Sequence, residues 1–267
     1  MAQKATALVM AACRRGVDDP VAKLQNKSHK CLVEIDGVVM LERVIDTLIV
    51  ACCFERIYVS IESEAPLRTV PRLCEWLDQK RIMTVKSRDT LADSVLSAAR
   101  DIPEPLPLII TTGDNALHTP ELIRSFMDQF WAHDGDVMVA FTNADVVRQD
   151  YPTIGLAYHI LKDGGYSACN LYGLRREAAL KTVRIFESGG QFGKRHMRIL
   201  KAFGIMPFIL YKLKLASLEQ LMQRIGRNLG CTVDTAMLDY SFGPIDVDNL
   251  QFFAIAEETL KHRRHAA

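Results

Sequence analysis

At 267 residues, with 49% apolar and 24% charged side chains, the chain can bury a full core as one large domain, and its composition excludes extended disorder. A formal net charge of +1 gives no overall attraction for nucleic acid, so any basic patch must be local. The cysteines at 13, 31, 52, 53, 74, 169 and 231 are odd in number and form no C-x-x-C pair or Cys/His cluster at zinc spacing, which points to a reduced cytoplasmic protein rather than a disulfide or zinc framework.

Residues 7–12 are continuously apolar, so 6–12 reads as a strand buried on both faces of a parallel sheet. A basic loop over 13–28 follows, then His29-Lys30 and a second apolar run over 31–35. Apolar spacing predicts helices over 39–53, 66–80 and 90–100, with strands over 56–61 and 82–85 between them. The run 106–112 is the next strand and ends at Gly113-Asp114-Asn115. Thr119-Pro120 opens a helix to about 133, with a cap residue followed by proline at the first helical position, and 136–142 is a strand. Strands alternating with helices imply βαβ units and a mostly parallel α/β sheet of Rossmann-like type.

From Tyr151 the pattern changes. Residues 154–161 alternate like a strand, 162–165 form a turn, and 167–174 return as a strand. A helix over 177–187 is broken by Gly189-Gly190, and 192–227 is helical in pattern with interruptions at Gly204 and Pro207. A strand over 231–238, a step at 245–248 and a closing helix over 249–261 complete the chain, with 261–265 as a frayed basic tail. The opening Met-Ala-Gln-Lys-Ala lacks the apolar core of a signal peptide, and no apolar run is long enough to span a bilayer.

Three groups of residues stand at or just beyond strand ends, where ligands bind in open α/β sheets. Arg14 and Lys30 offer a guanidinium fork and a point charge, suited to a triphosphate or to a solvated basic loop. Asp114 suits a metal ligand or a simple turn. Asp246 and Asp248 suit a second metal position or the cap of the helix that follows. Two carboxylates from distant strand ends can share one magnesium ion, with phosphate and water completing its octahedron.

The runs Ala7–Arg14, His29–Gly37 and Met40–Val44, with Thr111–Asp114 and Ile245–Asp248, resemble MobA-like NTP transferases, the molybdenum-cofactor guanylyltransferase type of nucleotidyltransferase. The resemblance spans most of the chain in order. It implies a glycosyltransferase-A-like fold with a smaller helical and β-hairpin acceptor lobe, and a cytoplasmic enzyme that transfers NMP from an NTP to a phosphorylated sugar, alcohol or lipid-precursor acceptor with release of pyrophosphate. Asp114 and Asp248 would hold Mg2+, and Arg14, Lys30 and Asp114 would serve the chemistry. Ala11, Ala12, Arg14 and Lys30 would contact the nucleotide, Asp93 and Ser94 its base and ribose, and Asn170 the acceptor side. The expected division is a single domain, 1–267: a nucleotide-binding half (1–145), an acceptor lobe (146–244) with a basic helical segment (181–227), and a metal step with its closing helix (245–267).

The glycine expected in the first loop falls on Ala12, or on Cys13 in another register, and either lets backbone approach phosphate less closely. A glycosyltransferase of the same fold remains open, although it would carry Asp-x-Asp where this chain has Gly113-Asp114-Asn115. A non-catalytic nucleotide-binding or membrane-docking relative is the third reading. Between Lys181 and Lys214, eight cations face the single acid Glu187 among large apolar residues, a pattern for a packed helical hairpin or for peripheral contact with the inner membrane surface through 192–213.

Overall fold

Apolar runs become strands, and the computed structural model, which describes residues 4–13, 15–186, 200 and 203–266, pairs them into one main sheet. The strands are β1 (Ala5–Met10), β2 (Glu34–Ile35), β3 (Val38–Val39), β4 (Phe54–Ile61), β5 (Met83–Lys86), β6 (Leu108–Thr112), β7 (Val137–Asn143), β8 (His159–Leu161), β9 (Gly164–Leu174) and β10 (Val233–Met237). The helices described are α1 (Pro20–Lys23), α2 (Met40–Ala51), α3 (Ala65–Arg68), α4 (Pro71–Asp78), α5 (Leu91–Asp101), α6 (Pro120–Ala132), α7 (Ala144–Asp150), α8 (Glu177–Thr182), α9 (Ile205–Lys212), α10 (Leu218–Leu229) and α11 (Leu250–Ala266). The main sheet runs β5-β4-β1-β6-β9-β7-β10, with β8 beside β9; β9 is antiparallel to its neighbours, and the remaining pairs along that path are parallel.

Strand periodicity shows why both faces are covered. In β1, Ala7 and Val9 join one core cluster and Leu8 the other; β4 separates Ile57, Val59 and Ile61 from Tyr58, and β6 separates Ile109 from Leu108 and Ile110. The first cluster includes Leu41, Ile45, Leu73, Trp76, Phe126 and Phe130 from α2, α4 and α6, and the second includes Ala92, Val95 and Ala98 from α5. A third cluster lies under α11, where Phe252, Ala256 and Leu260 meet Met40, Leu117, Ile245 and Val247. It joins the end of the chain to the turns after β1 and β6.

Several boundaries differ from the sequence expectation. The stretch 66–80 is two helices, α3 and α4, split before Pro71, whose ring disfavours a helical conformation for the residue preceding it; Val70 is extended there. Only His159–Leu161 of the stretch 154–161 is a strand. Helix α7 was not expected, since its seven residues are too few to show a period; Asn143 caps it by accepting from the Asp145 N–H. Pro207 does not interrupt a helix but sits in the first turn of α9, where a missing N–H costs nothing. The basic tail is no frayed end: α11 runs to Ala266, with Arg263 stacked 4.1 Å over Phe242 and donating to the Leu117 carbonyl, and Arg264 paired to Asp36. The Gly189-Gly190 break and most of 192–202 lie outside the described residues.

Candidate active site

Strands β1 and β6 end side by side, Met10 opposite Thr112, and the Gly113 N–H donates to the Met10 carbonyl at 2.9 Å. A side chain at 113 would stand 3.2 Å from both Cys31 Cβ and Leu41 Cδ1, so glycine lets the turn close against the core. Asp114 then turns back to accept from the Thr112 hydroxyl, which itself accepts from Asn115 Nδ2 at 2.6 Å. This is a braced carboxylate rather than a loose turn residue.

The second carboxylates arrive by alternation. Ile245 and Val247 are fully buried under α11, so Asp246 and Asp248 face the other way, and the Val247 N–H donates to the Asp114 carbonyl at 3.1 Å. One oxygen each from Asp114, Asp246 and Asp248 lie within 4.8 Å of one another. Neither Asp246 nor Asp248 is the helix cap: Asn249 fills that role, accepting from the Phe252 N–H at 3.0 Å. Asp246 accepts from Asn170 Nδ2 at 3.0 Å. Asn170 sits where the register of β9 against β7 shifts, with a left-handed φ of 50° that asparagine tolerates, and a bulge of this kind re-aims a side chain.

Lys30 follows His29 in a tight turn (Lys30–Leu32) and reaches into the same cluster. Its ammonium is 2.6 Å from Asp114 Oδ2 and 2.5 Å from Asp248 Oδ1, with the side chain only 18% exposed. Burial by itself would lower the Lys30 pKa, but Asp114 and then Asp248 hold it above its ordinary value. Burial would likewise raise Asp114, yet the Lys30 charge keeps that carboxyl below the usual range. Asp246 goes the other way: burial, then the charges of Asp114 and Asp248, push it up to about 7. Three carboxylates around one ammonium are short of positive charge, and an all-oxygen donor set of this size fits Mg2+.

The other expected residues are distributed differently. Arg14 lies outside the described residues. The Ala11 N–H donates to the Ser60 carbonyl and its own carbonyl accepts from Cys31 Sγ, so its backbone groups serve the sheet end; Ala12 is exposed. Asp93 and Thr90 satisfy one another at the start of α5, and Ser94 accepts from the Arg88 N–H and donates to the Thr90 carbonyl. None of these hydrogen bonds ties Asp93 or Ser94 to the carboxylate cluster. Asp93 borders a cavity of about 810 Å3 with Lys86, Arg88, Arg100, Glu177 and Arg184.

Sequence reasoning missed one member of the neighbourhood. Glu62, the first residue beyond β4, accepts from the Cys13 N–H at 2.9 Å and lies 3.0 Å from His29 Nε2, joining both ends of the loop after β1. Its position just past a strand end is the same signal that singles out Asp114. Of the two acids in the 245–248 step, the resemblance names only Asp248 for the metal, whereas the cluster also contains Asp246, which alternates with the buried Ile245 and Val247.

A family model for the MobA-like NTP transferase domain matches residues 23–229. The chain belongs to that family. Its reaction class is accordingly nucleotidyl transfer from an NTP. Among solved structures, a hypothetical transferase from Thermus thermophilus aligns over 94% of this chain and all of its own, at 21% identity and a TM-score of 0.73. CMP:2-keto-3-deoxy-manno-octonic acid synthetase, solved with CTP, aligns over 98% of this chain and all of its own (14%, TM-score 0.60). The 4-diphosphocytidyl-2C-methyl-D-erythritol synthase of Anaerococcus prevotii does so with equal coverage at 12% and 0.58. At these identities the likeness is one of fold. No curated protein matches the chain.

Proposed function

We propose that this MobA-like protein is an Mg2+-dependent nucleotidyltransferase that moves NMP from an NTP to a phosphorylated sugar, alcohol or lipid-precursor acceptor, releasing pyrophosphate. The observation that carries the reading is the convergence of Lys30 on Asp114 and Asp248 beyond the paired ends of β1 and β6, with Asp246 beside them. The reaction places negative charge on the leaving pyrophosphate and requires the acceptor phosphate in line with the α-phosphorus, so positioning and charge do the work and no protein nucleophile is needed.

Asp114 and Asp248, with Asp246, would hold Mg2+, which when bound neutralises phosphate charge. Lys30 and Arg14 would take triphosphate oxygens, and the loop at Ala11 and Ala12 would face the nucleotide. Asp93 and Ser94 would lie toward base and ribose, and Asn170, tied to Asp246, would orient the acceptor side. In this reading residues 1–145 bind nucleotide, 146–244 choose the acceptor and 245–267 close the metal step. A lipid-precursor acceptor would call for peripheral attachment at the inner face of a membrane. Among the described residues no helix is long and apolar enough to cross one.

Pyrophosphate release from each of the four NTPs with Mg2+ and a panel of sugar, alcohol and polyprenyl phosphates tests the reading. One combination should turn over, and Asp114→Asn should reduce it by about a hundredfold to a thousandfold, the scale of losing a principal charge-stabilising group, while the circular dichroism stays unchanged. Undiminished turnover in the folded variant would remove Asp114 from the mechanism, and release of a nucleoside diphosphate from a nucleotide-sugar would make the protein a glycosyltransferase.

A further inference from the structure

Helix α9 is apolar on both sides. Pro207 and Tyr211 point inward, and Tyr211 packs with Leu218, Leu221 and Ile225 in the small core of the second lobe. On the outward side Ile205, Ile209 and Leu213 follow one another at i, i+4 and i+8, exposed to 68%, 39% and 61%, with Met206 beside them. Of the eleven exposed large hydrophobic residues among those described, five fall within 205–215, so the patch is a concentration rather than scatter. A helix apolar all round belongs in a core or against lipid, and the outer side of α9 is not in a core.

Within residues 203–218 the charged side chains have one sign. Lys212 and Lys214 are exposed and make no ion pair among the described residues. The sequence holds no acid from Phe203 to Leu218. Alongside, a groove of about 340 Å3 between α9 and α10 is lined by Met206, Leu210, Arg224 and Arg227, and Arg224 Nε is buried with no hydrogen-bond partner. An apolar stripe ending in two exposed lysines, next to a groove lined by Arg224 and Arg227, is the chemistry of an interfacial helix on an anionic leaflet: apolar side chains enter the acyl boundary while cations meet phosphate. A second copy fits less well, since the same stretch of its chain holds no acid to answer these lysines.

We propose that the outer face of α9 with Lys212, Lys214 and the Arg224–Arg227 groove docks the protein on an anionic lipid surface. The docking stands independently of which acceptor the enzyme uses. The test is sedimentation of the full chain with vesicles of phosphatidylcholine alone and of phosphatidylcholine with about a third phosphatidylserine, at low and high salt, together with light scattering without lipid. Most of the protein should pellet with the anionic vesicles at low salt, and little with neutral vesicles or at high salt. The variants Ile209→Asp/Leu213→Asp and Lys212→Ala/Lys214→Ala should each remain in the supernatant at low salt with unchanged thermal melting, because these side chains are exposed. Protein that stays in the supernatant at low salt would overturn the proposal, as would variants that pellet like the parent or equal binding to neutral vesicles. A lipid-free dimer abolished by Ile209→Asp would overturn it in favour of a second copy.

Discussion

Lys30 and the pair Lys212/Lys214 are the same side chain in opposite settings. Lys30 is largely enclosed and answered by two carboxylates at 2.6 and 2.5 Å, whereas Lys212 and Lys214 are exposed with no acid among the described residues to pair with. Both settings carry positive charge near apolar surface, but only the first has its geometry fixed from several directions: by the Lys30–Leu32 turn, by the end of β6 and by the step before α11. A charge fixed in this way can act on a reacting phosphate without reorganising. A charge on a solvated stem serves attraction that fades with salt. Local composition does not separate the two; the partners do.

The strongest way to break the comparison is to remove each lysine. Lys30→Ala should lower kcat/KM about a hundredfold to a thousandfold, on the order of 3–4 kcal/mol of transition-state stabilisation. Lys212→Ala/Lys214→Ala should leave turnover of soluble substrates unchanged. Steady-state pyrophosphate release reads both; a Lys30 effect confined to KM would mean that it binds ground and transition states alike.

His118 sharpens the point, being a buried base whose hydrogen-bond partner is a backbone carbonyl rather than a carboxylate. It donates from Nε2 to the Gly243 carbonyl at 2.9 Å, and burial lowers its pKa to about 4, opposite in direction to the shift of Lys30. With the folded value below the unfolded one of roughly 6.5, the unfolded chain binds more protons between those values. The contribution to stability is therefore fully present above about pH 6.5 and is lost as pH falls toward 4, amounting at most to about 3 kcal/mol. Urea unfolding at pH 7.5 and 4.5 should show a smaller pH dependence in His118→Gln, which retains a donor for Gly243. An identical slope in the two proteins would mean that His118 is not held neutral.

The smallest effect concerns Glu62, whose side chain is half exposed. Glu62→Ala frees the Cys13 N–H and His29 and should raise the KM for NTP roughly fivefold to tenfold, about 1 kcal/mol for a partly solvated contact, with kcat nearly kept. A fall in kcat of the size expected for Lys30→Ala would instead place Glu62 with the paired charges.

Much of this was legible in the chain itself. Continuous apolar runs announced strands covered on both faces, and β1, β4 and β6 divide their residues between the two cores accordingly. Lys30, Asp114 and Asp248 were readable because each stands just past a strand or before a helix, where side chains with no packing duty tend to be functional. Such signals are local, carried by period and by position relative to an element's end.

What only the tertiary structure decided depends on pairing between distant segments. Asp246 joins the cluster because Ile245 and Val247 are claimed by the core under α11 and the Val247 N–H is bonded to Asp114, more than a hundred residues away. Asn170 reaches Asp246 because β9 slips register against β7, and Glu62 meets Cys13 and His29 because β4 lies beside β1. No window of sequence contains these neighbours. The sequence set which side chains could carry charge and which runs would be buried; the order of the sheet and the shift in β9 decided which charges would meet.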